Sequence, residues 1–205
     1  MCVWFPPVGR SEGLCVAWKE GVELEPHFCS KNIISYIVYS DPLGVPWSFS
    51  MVYGPPATSL RRDFWNAVPS LLAQTPNAKL LIGDCNGTLL DCESWSSIHT
   101  HRGSSSCSGA MHGYFNEMGV LNLGFSGPSF TWNRRRGGVL FSRARLASVE
   151  WCSLFPQARV LNITDSVSDH CSILLNTDGE GNLGFKPFQF EAMWTLDVRS
   201  HWIVT

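Results

Sequence analysis

The sequence predicts an α+β protein with mainly antiparallel sheets, and three observations carry that expectation. Short runs rich in β-branched and aromatic residues outnumber segments with helical spacing. Strands and helices do not alternate in the regular order that builds a parallel sheet, and no internal repeat appears. With 205 residues, 44% hydrophobic and 16% charged, the chain can bury the core of one large domain, which excludes a disordered chain. A formal net charge of −2 excludes neither an enzyme nor a nucleic-acid binder, because a local basic patch holds phosphate whatever the total.

Leu14-Cys15-Val16-Ala17-Trp18, entered through Gly9-Arg10-Ser11-Glu12-Gly13, reads as a strand with apolar residues on both faces and no obvious partner upstream. It is expected to be the exposed edge of a truncated domain. Ile33 to Tyr39 and Trp47 to Tyr53 form a predicted antiparallel pair about the turn Asp41-Pro42-Leu43-Gly44. After Gly54-Pro55-Pro56 the period changes. Leu60, Phe64, Ala67, Val68, Leu71 and Leu72 mark an amphipathic helix with Thr58 or Ser59 as N-cap, which Pro69 should kink or split.

Next comes Lys79-Leu80-Leu81-Ile82-Gly83-Asp84-Cys85-Asn86, an apolar run stopping at turn formers, which predicts a buried strand with Asp84 and Asn86 at its exit. Two residues apart on extended backbone, acid and amide point to one side. Residues 91 to 109 are polar and aperiodic, as in a surface loop. Met111 to Val120 reads as a short helix with Tyr114, Phe115 and Met118 inward, closing at Gly119. Leu121 to Asn133 is a loop running into a strand, Arg134-Arg135-Arg136-Gly137-Gly138 a basic turn, and Val139 to Arg143 the return of a hairpin. Trp151 and Phe155 anchor a short helix, Arg159 to Ile163 is a strand, and Ser168-Asp169-His170 leads into the apolar run Cys171 to Leu175. Residues 1–180 are expected to form the domain. Residues 181–205, with alternating aromatics from Phe185 to Trp194, are expected to be a C-terminal linker.

The eight cysteines include no CxxC pair and no Cys/His cluster with zinc spacing, so they read as buried hydrophobes in a reducing compartment. Met1-Cys2-Val3-Trp4-Phe5-Pro6-Pro7 is not a signal peptide, and no run approaches transmembrane length. An intracellular protein, nuclear or cytoplasmic, with no membrane partner is expected. The Asn-x-Thr sequons at Asn86 and Asn162 then read as chance.

Tyr53, Asp84, Asn86, Asp169 and His170 all fall where an apolar strand ends or begins. Together they offer two acids, an amide, a phenol and an imidazole. That set suits metal-assisted phosphoester hydrolysis: carboxylates hold a hard divalent cation, an Asp orients water, and donors stabilise the charged phosphorus centre. His170 would hold the proton or donate to the phosphate. Each residue also has a plainer reading. Gly83 to Gly87 is then a turn, with Asn and Asp chosen for left-handed geometry, Tyr53 a packed aromatic, Asp169-His170 a capped turn, and Arg134 to Arg136 a solvated charge run. A Ser-His-Asp hydrolase lacks its Gly-x-Ser-x-Gly elbow.

In order along the chain, Val52-Tyr53-Gly54-Pro55-Pro56, Gly83-Asp84-Cys85-Asn86, Gly124-Phe125-Ser126-Gly127-Pro128-Ser129-Phe130-Thr131-Trp132 and Ser168-Asp169-His170 resemble the endonuclease/exonuclease/phosphatase superfamily. More narrowly, they resemble the endonuclease domain of plant non-long-terminal-repeat (long interspersed element) retrotransposons. Gly9 to Leu14 and Phe188 to Trp194 match that group's style as well. The resemblance implies a four-layer α/β/β/α sandwich with two mainly antiparallel sheets, incomplete at the N-terminus, and a Mg²⁺-dependent cut in DNA. It implies that Asp84 orients the attacking water, Asn86 binds the scissile phosphate and positions Asp84, Tyr53 contacts the phosphate, Asp169 lies at the metal side, and His170 faces the phosphate. Trp132 and the loop before it would wall the DNA, and a reverse-transcriptase domain would be the partner in the full element.

The departures from that pattern are specific. The family opens with a strand ending in Asn and a metal-binding Glu, and this chain begins after both. Phe141-Ser142-Arg143-Ala144-Arg145-Leu146-Ala147 lacks the Asp that orients the histidine. Cys85 replaces a usual Phe and Gly87 a usual acid. The expectation is a weak or inactive endonuclease. A binding remnant, gripping backbone with Trp132, Arg134, Arg135 and Arg136, and a relative acting on a small phosphoester are the alternatives.

Overall fold

Successive side chains of a strand point to opposite faces, so alternation decides which layer each residue joins. The structure, a computed structural model, describes residues 2–5, 14–86, 94–96, 111–128 apart from 112, 114 and 116, 131–134, 139–141, 144–164 and 170–179. The strands are β1 (Cys2–Phe5), β2 (Leu14–Ala17), β3 (Leu24–Cys29), β4 (Ile33–Ser40), β5 (Leu43–Tyr53), β6 (Lys79–Asp84), β7 (Ser94–Ser96), β8 (Val120–Asn122), β9 (Trp132–Arg134), β10 (Val139–Phe141), β11 (Ala144–Ser148), β12 (Arg159–Ile163) and β13 (Ser172–Asn176). The helices are α1 (Thr58–Leu72) and the short α2 (Val149–Leu154), with further helical residues between 111 and 118.

Six strands in the order β3-β4-β5-β6-β11-β8 make the central sheet. Its neighbours are antiparallel except β5 and β6, which run parallel and are joined through α1. One face of the sheet buries Ile33, Val52, Leu81, Leu146 and Val120 against Trp65, Val68 and Leu72 of α1 and against Met111 and Phe115. The opposite face buries Val38, Trp47, Leu80 and Ala147 against Trp151, Phe155 and Val160, with Ile173 and Leu175 packed alongside. On this second face Ile34 and Tyr36 also meet Val16. Behind the central sheet therefore lie two smaller antiparallel sheets, β12-β13 and β1-β2. The fold is the expected α+β sandwich of α/β/β/α type, and its antiparallel character is broken at the β5–β6 pair.

Several local expectations give way to packing. The strand at 14–17 has a partner: β1 pairs with it antiparallel, Phe5 opposite Leu14 and Cys2 opposite Ala17. The apolar run from Cys2 to Phe5 is short and is stopped by Pro6-Pro7, which hid it in the sequence. The N-cap of α1 is Ala57, which offers no side-chain bond, so Thr58 and Ser59 already lie in the first turn. Arg61 reaches back instead, donating from Nε to the Pro55 carbonyl at 2.9 Å and from a terminal nitrogen to that of Pro56 at 2.7 Å. Pro69 does not split α1, which runs on to Leu72. An interior proline costs about 3 kcal/mol. Trp65, Val68 and Leu72 are each at most 2% exposed, and burial of such side chains returns about 1.5–3 kcal/mol apiece.

Three central-sheet strands, β3, β8 and β11, were not foreseen. Pro26 and a mixed polar pattern disguise β3, which tolerates both because it is an edge strand with a bulge between Pro26 and Phe28. Strand β11 is disguised by its alanines. It ends at Ser148, whose hydroxyl accepts from the Trp151 and Lys79 amides and donates to the Asn77 carbonyl, capping α2 and fastening the start of β6. Lys79 itself donates from Nζ to the Thr75 and Pro76 carbonyls, and burial lowers its pKa against an upward pull from Glu150.

Within the expected loop 91–109 the structure has β7, which joins β10 and β9 in a three-stranded sheet. The hairpin about Arg134–Gly138 is present as β9 paired with β10. The helical residues end at Gly119, φ 59°, and Val120 already opens β8. Tyr114 and the linker assigned to residues 181–205 lie outside the described residues. Among the described residues no helix is long and apolar enough to cross a membrane.

Trp65 fills the space between α1 and the sheet, edge-on to Phe64 and Phe115. Trp65→Ala is expected to cost about 3–5 kcal/mol, read as a lowered midpoint in urea unfolding followed by circular dichroism.

Candidate phosphoester site

At the carboxyl ends of parallel strands, ligand sites form where the backbone leaves the sheet. Strands β5 and β6 end together, Tyr53 opposite Asp84. Beyond them the chains are knotted: the Gly54 amide donates to the Asp84 carbonyl at 2.7 Å, and Asn86 Nδ2 donates to the Gly54 carbonyl at 2.7 Å. Two glycines make this approach possible. A Cβ on Gly83, φ 149°, would stand 1.9 Å from the Val52 carbonyl oxygen, and one on Gly54 would stand 2.2 Å from that of Cys85.

Asn86 corrects the sequence reading. Its φ of 49° is left-handed, so Asp84 and Asn86 do not lie on one side of an extended backbone. The strand stops at Asp84, and the Asn86 amide donates to Asp84 Oδ1 at 2.8 Å in an Asx turn. The plainer expectation of a left-handed turn is thus correct in geometry. It leaves chemistry available all the same: Asp84 is half-buried and only its Oδ1 takes part in that bond, and the side-chain amide of Asn86 has a second N–H besides the one given to Gly54. Cys85 between them is buried in the helix-side core.

His170 stands on the other sheet, half-buried, two residues before β13. The Cys171 amide donates to the Thr131 carbonyl at 2.8 Å, which brings His170 beside the strand that begins at Trp132. The two parts of the site share one end of the sandwich. Arg145, opposite Ile82 on β11, donates to Asn162 Oδ1 on β12 at 3.0 Å, and Asn162 pairs with Ile173. That bond joins the two sheets at a rung two residues before Asp84 on β6 and three residues after His170 on the β13 side. Asn162 also donates from Nδ2 to the Pro128 carbonyl at 2.7 Å, and its main chain is bonded to Ser126, so the loop leading to Trp132 is held from below.

Arg145 and Asn162 escaped the sequence reading. Arginine in the middle of a small-residue strand was the available signal, and the asparagine was masked by its sequon. Asn32 was missed as well: its Nδ2 donates to the Tyr53 carbonyl at 2.6 Å. Trp132 and Arg134 open and close β9. Arg135, Arg136, Ser168 and Asp169 lie outside the described residues.

Mg²⁺ asks for near-octahedral oxygen ligands and takes one or two protein carboxylates. Among the described residues no group of three His, Cys, Asp or Glu side chains stands together, and Asp84 is the one carboxylate at the strand ends. Those residues by themselves do not make a Mg²⁺ cage.

The layered sheets and helices are similar in fold to solved proteins of the endonuclease/exonuclease/phosphatase type. Solved structures with that fold match the chain. The endonuclease domain of TRAS1, a telomere-specific non-LTR retrotransposon, matches with a TM-score of 0.65 at 13% identity, over 88% of this chain and 81% of that one. The 3′ phosphatase NExo from Neisseria, bound to a product DNA hairpin, matches with 0.59 at 16% identity, over 87% and 79%. The AP endonuclease LMAP from Leishmania major matches with 0.57 at 13% identity, over 75% and 61%. No protein-family model matches the sequence, and no curated protein matches it.

Gly83→Ala and Gly54→Ala each push a Cβ onto backbone that has nowhere to move, and each is expected to lower stability by more than about 2 kcal/mol. Gly113→Ala, where a Cβ meets nothing within 4 Å, should leave the unfolding midpoint unchanged or raised. Equal effects at the three positions would refute the close-approach account.

Proposed function

We propose that this chain is an endonuclease domain of non-LTR retrotransposon type, a site for nucleic-acid phosphodiester hydrolysis whose chemistry is weakened while its hold on DNA persists. The observation that carries the reading is the knot of Tyr53-Gly54 with Asp84-Asn86 at the carboxyl ends of a parallel pair. In this reading the second carboxylate oxygen of Asp84 orients a water and accepts the proton that the water loses as its oxygen bonds to phosphorus and the P–O bond to the leaving strand breaks. The second N–H of Asn86 meets a phosphate oxygen, and Tyr53 flanks it. His170 donates to the phosphate from the opposite sheet. Trp132, Arg134, Arg135 and Arg136 hold the neighbouring backbone. Asp169 would stand at the side of a Mg²⁺ ion, which when bound would supply charge stabilisation to the phosphate. The partner is DNA, with a reverse-transcriptase domain elsewhere in the same element.

The weakness follows from the sequence of β11 and its approach. The stretch from Phe141 to Ala147 carries no acid, where the resemblance implies one that orients the histidine. Loss of such an orienting group lowers activity roughly 10- to 100-fold. On supercoiled plasmid with Mg²⁺, nicking should therefore be slow or undetectable, while gel-shift experiments at low salt show binding. Robust nicking that disappears in both Asp84→Ala and His170→Ala would overturn the weakness and keep the site. Robust nicking indifferent to both would remove the site as well.

A further inference from the structure

We propose that the turn between β3 and β4, Ser30-Lys31-Asn32, is a second phosphate contact of the nucleic-acid groove, with Lys31 as its cation. The inference rests on the nucleic-acid reading of the site. Strand β4 begins at Ile33, opposite Val52. Its turn therefore projects past the sheet at the end where Tyr53 and Asp84 leave it. The turn is tied to Tyr53 in both directions: the Tyr53 amide donates to the Asn32 carbonyl at 2.8 Å, and Asn32 Nδ2 donates to the Tyr53 carbonyl at 2.6 Å.

The same turn is braced internally. Ser30 Oγ accepts from the Asn32 and Ile33 amides at 3.3 and 3.2 Å, and the Ser30 amide donates to the Ile33 carbonyl at 2.8 Å. Lys31 is thus carried at an exposed position on a fixed backbone, and among the described residues it enters no ion pair. Arg61, the cation nearest in sequence to Tyr53, is turned onto the Pro55 and Pro56 carbonyls. The acids of this hairpin stand toward its other end, where Glu25 lies opposite Ile37 and accepts from the Tyr39 hydroxyl.

Distance agrees with the assignment. Asn32 and Asp84 flank Tyr53 on either side, so the turn is two strand spacings, about 10 Å, from the acid. A lysine side chain there reaches a phosphate beside the one at Asp84 rather than the same one. A solvated lysine on a loose turn would need neither the bracing nor the tie to Tyr53.

The test is fluorescence anisotropy of a labelled short duplex with the whole chain, titrated over several salt concentrations. Lys31→Ala should weaken binding roughly three- to tenfold at low salt and flatten the slope of log affinity against log salt by about 0.9. Lys31→Arg should keep both. Lys19→Ala, at an exposed lysine on the turn before β3 at the opposite end of the hairpin, should behave as the wild type. Wild-type affinity and slope in Lys31→Ala would overturn the proposal, as would an equal loss in Lys19→Ala. A wild-type chain that does not bind duplex at low salt would instead overturn the nucleic-acid reading itself.

Discussion

The parallel pairing of β5 with β6 is the constraint on which the site depends. A parallel pair needs a crossover and cover on the face where the crossover lies. Helix α1 supplies both, burying Trp65, Val68 and Leu72 on Val52 and Leu81. Parallel direction also makes the two strands exit side by side, which is why Tyr53 and Asp84, thirty-one positions apart in the chain, become neighbours. Gly54 and Gly83 then let the backbones close until no side chain fits between them. Without that closure, the Asn86 amide would not reach the Gly54 carbonyl.

The second half of the arrangement hangs on a buried cation. Arg145 is 1% exposed, and a guanidinium taken out of water is costly unless its donors are met. Here it donates to Asn162 and lies over the ring of Phe125 at 4.4 Å, the kind of cation–aromatic contact that gains strength when desolvated. Phe125 and Asn162 belong to different segments, the loop toward Trp132 and β12. One residue of the central sheet therefore fixes both the adjoining sheet and the loop relative to Asp84. A lysine would not do the same, since it lacks the flat group that can stack while donating sideways.

These features differ in how far the sequence exposed them. The Ile33–Tyr39 and Trp47–Tyr53 strands, α1 and the run ending at Asp84 were legible because long apolar patterns with clear periods resist alternatives. Strand β3 was not legible, because an edge strand can carry proline and polar residues that a central strand rejects. Ala57 as N-cap and an unbroken helix through Pro69 are cases in which tertiary burial outweighs a local preference of a few kcal/mol. At the site, the residue types of Tyr53, Asp84 and Asn86 were legible and their geometry was not: the left-handed turn of Asn86 depends on Gly54, thirty-two positions away. Arg145 and Asn162 were illegible for a related reason. Their role exists only once two sheets are stacked.

Gripping a nucleic acid and cutting it place unequal demands on such a scaffold. Binding to phosphates is a sum of separate contacts, each falling with salt and each dispensable at modest cost. Hydrolysis needs its groups together, and the loss of one member removes most of what the others accomplish. Asp84, Asn86 and Tyr53 are held by backbone closure that the fold itself requires, so they persist as long as the sheet does. The acid that orients a histidine has no such structural duty. In the proposed reading, substitution of that acid would leave the sandwich intact while weakening hydrolysis more than binding.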